Sequence, residues 1–371
     1  MKTKNISYFT LEGTYEQIGR QMALKTNKKP GLAAAPKNFG EEELDEALAL
    51  YEEYCPGIVS ELKGFAKACQ VPMRDLAYTW MTYLIPRCSG LIVAGNMMED
   101  GHTKLFRNYE FDLEHEDLMV LETRPEGKYA HIGGSVVLFG RSEGINECGL
   151  AVSMSSCGLP VSNMSGMRRP KIKGLQFWAV IRSVLENCKN VEEALALVQK
   201  MPIAYNINLY LADAHGQGCI FETMDGKTAY EKMDAKHSKQ YLCGTNHIAI
   251  DSFKKYEPFA MKNSVVRLQA IESFMESQKS FREEEITTLF LDRYPKGLSS
   301  RFYDAFFGTI KTVVMDTTTC TYRIHWLVEE ENGWETYQLT DDVGERISDH
   351  FLEKCYVQEQ ANPLFFDMVD L

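Results

Sequence analysis

The pattern of the sequence changes at Cys88. After that point come short apolar or alternating runs separated by turn residues: CSGLIVAGN, KLFRNYEF, LMVLETRP, YAHIGGSVVLF, LAVSMS, INLYLADA, GCIFETM and YLCGTN. Such runs are typical of β-strands. Helical periods return at about 175–187, 191–200, 261–278 and 283–292, before strands near 312–318, 321–328 and 335–339. This order indicates helices layered on the faces of antiparallel sheets.

The residues before Cys88 have a different pattern. Residues 6–12 predict a short strand, and a helix is predicted directly after it. A helical period then covers 41–68 and is interrupted at Cys55-Pro56-Gly57, which predicts two helices in series. A third helix is predicted over 73–84, so the first 87 residues are expected to be mostly helical.

Composition excludes several classes of protein. The chain has 371 residues, 44% of them hydrophobic, which suits a globular protein with a large core. A net charge of −12 and the lack of a basic tract argue against a nucleic-acid partner. The N-terminus has no apolar stretch of signal-peptide length, and no run of about eighteen apolar residues occurs, so we expect a cytoplasmic protein without a membrane span. Most of the ten scattered cysteines are therefore expected to be reduced and buried as small hydrophobic residues.

Nucleotide and metal signatures are missing from the sequence. It contains no GxxxxGK[ST], no HExxH and no CxxC, so we expect neither a cofactor nor a metal. One acidic run could ligate a hard cation, although a solvated turn is the simpler interpretation. That run consists of Asp112, Glu114, Glu116 and Asp117 around His115.

Cys88 itself is a candidate nucleophile. It opens the first strand of the sheet-rich region, and the small residues Ser89 and Gly90 that follow it leave room for a substrate. The alternative is a packed core cysteine, the commoner role for one cysteine among ten.

A set of motifs supports the first interpretation. They are GTYEQIGRQMA, CPGIVSELKGFAKACQVPMRDL, IPRCSGLIV, DGHTKLFRNYEFD, EGINECGLAVSMSS, CGTNH, NSVVR and TIKTVVMD, which run in this order from about residue 8 to 318. Together they resemble the isopenicillin N acyltransferase-like family of N-terminal-nucleophile (Ntn) hydrolases, which is related to the choloylglycine hydrolases. Each motif alone is weak, but their order and spacing are specific.

The resemblance implies a fold and an activation step. The implied fold is of the α+β class, a four-layer αββα sandwich of two antiparallel sheets between helical layers, with a helical N-terminal pro-segment. Self-cleavage would occur at Arg87-Cys88, which leaves residues 1–87 as pro-segment or small subunit and 88–371 as the catalytic region. The freed α-amino group of Cys88 could then act as the base for its own thiol.

The resemblance also assigns roles to side chains. Asn246 matches the asparagine that stabilises the tetrahedral oxyanion, whereas a turn-forming Asn is the alternative. Arg107 matches an arginine that favours the thiolate, whereas a solvated strand arginine is the alternative. A helix-borne arginine matches Arg267, but a shift of one position puts Ser264 in contention.

Two positions depart from the family pattern. Glu110 stands where relatives have Asp, and Asp112, on the same strand face by a period of two, could take that role instead. Arg107 and Glu110 are three residues apart, so both would reach Cys88 only at a strand end or a bulge. Ser156 stands where choloylglycine hydrolases carry a further active-site asparagine, and a hydroxyl offers fewer donors than an amide.

The expected activity follows from these assignments. The resemblance implies a self-processing cysteine amidohydrolase or acyltransferase that acts on a non-peptide N-acyl small molecule through a thioester. Acyl-CoA would enter only as a co-substrate of a transferase, and a homo-oligomer is compatible with the sequence. A catalytically silent relative that binds a small molecule or partner is the main alternative, and a redox-responsive thiol protein is a third.

Overall fold

The fold is built from two large β-sheets with helices on their outer faces. In this computed structural model the structure describes residues 1–26, 34–162, 167–233, 239–340 and 346–371. The strands of the described residues are β1 (Lys2–Gly13), β2 (Arg87–Val93), β3 (Lys104–Phe111), β4 (Met119–Pro125), β5 (His131–Val136), β6 (Gly140–Asn146), β7 (Ala151–Ser156), β8 (Ile207–Ala212), β9 (Gly218–Met224), β10 (Lys227–Met233), β11 (Tyr241–Gly244), β12 (Phe259–Met261), β13 (Arg301–Phe302), β14 (Phe307–Asp316), β15 (Thr321–Trp326), β16 (Trp334–Gln338), β17 (His350–Tyr356) and β18 (Met368–Asp370).

The α-helices of the described residues lie in three stretches of the chain: before β2, between β7 and β8, and after β11. Those of the described residues are α1 (Tyr15–Thr26), α2 (Glu41–Tyr54), α3 (Ile58–Cys69), α4 (Met73–Trp80), α5 (Phe177–Asn187), α6 (Val191–Val198), α7 (Asp251–Lys254), α8 (Lys262–Glu276) and α9 (Glu283–Leu291). The predicted break between two helices is confirmed, and Gly57 there adopts a left-handed φ of 100°. The third predicted helix ends at Trp80 rather than at residue 84.

The two sheets differ in size and in strand direction. The larger has nine strands in the order β10-β9-β8-β7-β6-β5-β4-β1-β17, and the smaller has β11-β2-β3-β14-β15-β16 with β13 beside β14. Two antiparallel sheets were expected, but β1 pairs in parallel with β4. The strand predicted over residues 6–12 is part of β1, which runs between β4 and β17 of the larger sheet. A parallel pair needs a long crossover, and here α1 to α4 together with β2 and β3 form it.

The sheets pack face to face with a helical layer on each side. Strands β2 and β3 contact β7 and β8 across the interior. On the outer face of the larger sheet α5 packs on β5, β6 and β7, and on that of the smaller sheet α8 packs on β2 and β11 while α9 packs on β3 and β14. This order of layers agrees with the predicted αββα arrangement.

One apolar core joins the N-terminal part to the rest of the chain. Phe65 of α3 and Trp80 of α4 lie with ring centroids 5.0 and 6.3 Å from that of Phe139. All three are buried in the main core cluster together with Trp178 of α5. Residues 1–87 therefore share their core with the remainder of the protein. Within the described residues, the helices are all too short or too polar to cross a bilayer.

Candidate active site

Cys88 is the second residue of β2 and is fully buried between the two sheets. Its pairing partner on β3 is Tyr109, so these two side chains share the face of the smaller sheet that looks toward the larger one. Burial raises the pKa of the Cys88 thiol to about 11, against the opposing effect of the Arg107 guanidinium. In the uncut chain the thiol is thus protonated at neutral pH.

Arg107 is the cation beside this thiol. Its Nη2 lies 3.2 Å from Cys88 Sγ, and its Cζ lies 4.8 Å from the centroid of the Tyr109 ring. The residue opposite Arg107 on β2 is Gly90, where a Cβ would lie 2.6 Å from the Tyr210 ring. The missing side chain at Gly90 leaves space for the buried ring of Tyr210 next to the thiol.

Asn246 follows β11 and reaches the backbone of Cys88. Its Oδ1 accepts hydrogen bonds from Cys88 N at 3.2 Å and from Arg267 Nη2 at 2.7 Å. Its Nδ2 donates to the backbone oxygen of Ser156 at 3.1 Å and to Ser156 Oγ at 3.0 Å. The amide is therefore fixed in orientation, with its donor end held by Ser156 at the end of β7.

Ser156 also binds the segment that precedes Cys88. Its Oγ donates to the backbone oxygen of Pro86 at 2.8 Å. Two residues earlier in the chain, the backbone oxygen of Leu84 accepts from the Tyr205 hydroxyl at 2.8 Å, and the rings of Tyr205 and Tyr83 stack at 6.4 Å. Residues 83–86 are thus held next to Cys88 in the chain by the side chains of Ser156 and Tyr205.

The two candidates on α8 have different roles. Arg267 contacts the backbone of Cys88, since its Nη1 donates to the Cys88 backbone oxygen at 3.1 Å and to Ser89 Oγ at 2.8 Å. Ser264 Oγ instead accepts from the backbone N–H of Asn246 at 2.8 Å. Arg267 lies in the site, and Ser264 fixes the backbone that carries Asn246.

Glu110 lies on the other face of β3 from Arg107. Its carboxylate is 3.7 Å from Arg267 Nη1 and accepts from Thr309 Oγ1 at 3.4 Å. Burial raises its pKa to about 7, although Arg267 and Arg107 both oppose this rise. β3 pairs with β2 without a bulge, and the irregularity near this point lies in β14 between Thr309 and Lys311. Glu110 and Arg107 therefore flank Cys88 from opposite sides of the sheet.

Asp112, the proposed substitute for Glu110, belongs to the turn after β3. Its carboxylate accepts from the backbone N–H of Glu114 at 2.8 Å and pairs with His115. The structure places Glu110, and not Asp112, beside Arg267. The idea that Asp112 takes over the aspartate position has no geometric support because its side chain is engaged in this turn.

The remaining acids of the run also bind protein groups. Glu116 pairs with Lys311 Nζ at 2.8 Å, and Asp117 accepts from Ser135 Oγ at 2.6 Å and from Leu138 N at 2.8 Å. These carboxylates therefore do not converge on a common point.

A different trio has ligand atoms close enough together to hold a cation. It comprises Asp100, His102 and Asp316. The Lys104 ammonium lies 2.6 Å from Asp100 and 3.4 Å from Asp316. The chain itself thus supplies the positive charge at that cluster.

The sequence analysis missed three buried polar side chains near Arg107. Glu143 of β6 pairs with Arg107 Nη1, Lys311 of β14 lies 3.7 Å from Glu143, and the Tyr322 hydroxyl of β15 donates to Glu143 at 3.0 Å. The one available signal was a charged residue in a strand flanked by glycines, in GRSEGIN. That signal does not say which face of the sheet the charge occupies.

A comparison with known family models identifies the family to which this chain belongs. Residues 97–330 match the family model described as acyl-coenzyme A:6-aminopenicillanic acid acyl-transferase, which is more than half of the chain. The chain belongs to this acyl-transferase family. The resemblance seen in the sequence is thereby confirmed. The matched range contains Arg107, Asn246 and Arg267, whereas Cys88 lies before it.

Solved structures similar to this acyl-transferase family member include three enzymes. Penicillin V acylase from Agrobacterium tumefaciens is 19% identical over 71% of this chain and 80% of its own, with a TM-score of 0.41. A mutant of conjugated bile acid hydrolase from Clostridium perfringens is 14% identical over 74% and 100%, with a TM-score of 0.47. The Caenorhabditis elegans ortholog of N-acylethanolamine-hydrolyzing acid amidase is 16% identical over 62% and 93%, with a TM-score of 0.42. The search of curated proteins found no match.

Proposed function

We propose that this protein is a self-processing cysteine Ntn amidohydrolase or acyltransferase that acts on a non-peptide N-acyl small molecule. The observation that carries the proposal is the convergence of Arg107, Asn246 and Arg267 on Cys88. Arg107 places a cation beside the sulfur, and Asn246 and Arg267 bind the backbone of the same residue. This arrangement suits acyl transfer to a thiol. Membership of the acyl-transferase family supports the same reaction class.

The first step in this proposal is scission before Cys88. The Cys88 thiolate attacks the carbonyl carbon of Arg87, the C–N bond to Cys88 breaks, and the nitrogen takes up a proton as the amine leaves. Water then hydrolyses the resulting thioester, which frees the thiol and ends the first chain at the Arg87 carboxylate. Hydrogen bonds from Ser156 and Tyr205 hold residues 83–86 in register for this attack.

The second step repeats the chemistry on a substrate. The thiolate attacks the acyl carbon of an N-acyl compound, Asn246 Nδ2 exchanges its hydrogen bond to Ser156 Oγ for one to the oxyanion, and the amine leaves with a proton. Arg107 favours the thiolate because its guanidinium lies 3.2 Å from the sulfur. The free α-amino group of Cys88, which adjoins Asn246 Oδ1, is the proposed base.

The acceptor of the acyl group defines the reaction. Water gives a hydrolase and a second amine gives a transferase, with acyl-CoA as donor only in the second case. We place the enzyme in the cytoplasm, where its ten cysteines stay reduced.

The test is amine release from a panel of N-acyl amides by the wild type and by Cys88→Ala. The wild type should release the amine and carry the acyl group on Cys88 in a quenched sample, whereas Cys88→Ala should do neither. Addition of a second amine should yield the transfer product if the enzyme is a transferase. Equal release by both proteins would exclude Cys88 as the nucleophile.

A further inference from the structure

The carboxylate of Glu143 reaches the site from the opposite sheet. Glu143 lies on β6 of the larger sheet, and its fully buried side chain crosses the interior to Arg107 on β3 of the smaller sheet. Its Oε2 accepts from Arg107 Nη1, and its Oε1 accepts from the Tyr322 hydroxyl at 3.0 Å. The carboxylate therefore connects the two sheets at the level of the nucleophile.

The groups around Glu143 keep it ionised. Burial alone would raise its pKa, but Lys311 and Arg107 outweigh that effect, so the pKa of Glu143 is lowered. Lys311 in turn binds Glu116 at 2.8 Å and Ser142 Oγ at 2.9 Å. Two sets of charged and titratable groups surround Glu143 and the thiol. Those near Glu143 are Arg107, Lys311, Glu116, Tyr109 and Tyr322. Those nearer the Cys88 thiol are Arg87, Glu110, Arg267, Tyr205 and Tyr210.

The orientation of Arg107 depends on this contact. One terminal nitrogen, Nη2, faces Cys88 Sγ at 3.2 Å, and the other, Nη1, faces Glu143 and the backbone oxygen of Ser142. The Nε–H of Arg107 has no hydrogen-bond partner in the described part of the chain. Without Glu143, the backbone oxygen of Ser142 would be the remaining oxygen acceptor of the guanidinium.

We propose that Glu143 is a positioning residue of this site, which holds the Arg107 guanidinium against the Cys88 sulfur. This inference rests on the proposed function, in which that sulfur is the nucleophile. Glu143 has two effects of opposite sign on the thiol. Its ion pair with Arg107 holds that cation near the sulfur and so favours the thiolate, whereas its own negative charge disfavours the thiolate.

Two substitutions separate these effects. Glu143→Ala removes both the charge and the acceptor, so Arg107 moves away and the Cys88 thiol becomes harder to ionise. Glu143→Gln removes the charge but keeps an oxygen for Arg107, so the thiol becomes easier to ionise. Glu61→Gln is the matched control, because Glu61 is an equally buried acid that pairs with Arg182, away from the thiol.

The experiment measures iodoacetamide alkylation of Cys88 from about pH 7 to about pH 10, where the thiolate is the reacting form. Cut and uncut chains are separated before digestion, Cys88 is followed by peptide mass, and variants are compared in the same processing state. At a given pH, Glu143→Ala should react about tenfold more slowly than the wild type and Glu143→Gln faster. Glu61→Gln should melt at a lower temperature with an unchanged alkylation profile.

Wild-type alkylation profiles in both Glu143 variants would overturn the positioning role. If Glu143→Ala does not fold, Glu143→Leu takes its place, because it also removes the acceptor but fills the space, and it too should react more slowly than the wild type. The readout does not require cleavage or turnover. A wild type that neither cuts itself nor releases amine would refute the proposed function. The alkylation profiles would still show whether Glu143 positions Arg107 against the Cys88 sulfur.

Discussion

The backbone N–H of Cys88 donates a 3.2 Å hydrogen bond to Oδ1 of Asn246. The same amide oxygen accepts from Arg267, and the amide nitrogen is held by Ser156. One side chain thus links the backbone of Cys88 to Arg267 and Ser156. The amide is fixed in place, and in the proposed reaction it exchanges only the hydrogen bond to Ser156 Oγ for one to the oxyanion.

Loss of the Asn246 amide should slow self-cleavage strongly. Asn246→Ala removes the oxyanion donor, and we expect the first-order rate of scission to fall by about 100- to 1000-fold. Ser264→Ala removes only the hydroxyl that fixes the Asn246 backbone, so a smaller loss is expected. Denaturing electrophoresis over time measures both rates. Wild-type cleavage in Asn246→Ala would contradict the assigned role.

Self-cleavage should accelerate as the pH rises. The pKa of the Cys88 thiol in the uncut chain is about 11, so below that value the thiolate fraction increases about tenfold per pH unit. We expect the scission rate to follow this increase from about pH 7 to about pH 10. Arg107→Met, which removes the neighbouring cation, should shift the profile to higher pH. A rate that is independent of pH in the wild type would argue against thiolate attack.

The two chains should stay together after cleavage. Strand β1 lies between β4 and β17, and Glu61 of α3 forms a buried bidentate pair with Arg182 of α5. Residues 1–87 and 88–371 are therefore expected to co-elute in size-exclusion chromatography without denaturant. Separation of the two chains in native buffer would contradict this expectation.

The same pair should set the denaturant concentration at which the chains separate. Glu61→Ala removes the bidentate partner of the buried Arg182, which keeps its 2.9 Å pair with Glu186, so we expect a cost of about 2–3 kcal/mol. The matched control is Lys67→Ala, because Lys67 forms only an exposed 3.9 Å pair with Glu16. We expect a clear decrease in the separation midpoint for the first variant and almost none for the second. Equal midpoints would show that the buried pair is unimportant for association.

Glu110 should make the fold less stable as the pH rises. Its pKa is raised from 4.5 to about 7 by burial, so its contribution to stability is full below 4.5 and is lost as the pH increases through 7. In a Cys88→Ala background, Glu110→Gln should reduce the drop in melting temperature between about pH 5 and about pH 8. Glu222→Gln, at a buried acid with a similar pKa outside the site, should do the same. If the melting temperature fell as much in both variants as in their parent, the idea that these glutamates are neutral at low pH and ionise as the pH rises would be contradicted.

Local patterns predicted much of the fold. The break between α2 and α3 follows from Pro56 and Gly57, which end one helix and admit a left-handed residue. β10 and β17 were missed because they are edge strands with many polar residues. The parallel pairing of β1 with β4 joins segments more than a hundred residues apart, which a local pattern does not encode.

The sequence predicted some residues of the site and missed others. Cys88, Arg107, Asn246 and Arg267 lie in distinctive motifs, and the structure brings them together. Glu143 was missed because no strand was predicted over 140–146, where glycines and charged residues alternate with few apolar ones. A second sheet covers the face of β6 that carries Glu143, and only the packed structure shows which cation the carboxylate meets.

The central claim is that Cys88 is an N-terminal nucleophile released by its own attack on Arg87. The most direct test is the intact mass of the purified wild type beside Cys88→Ala. Our account predicts two chains in the wild type, residues 1–87 and 88–371, and one uncut chain in the variant. A single uncut chain in both, or cleavage at the same bond in Cys88→Ala, would contradict it.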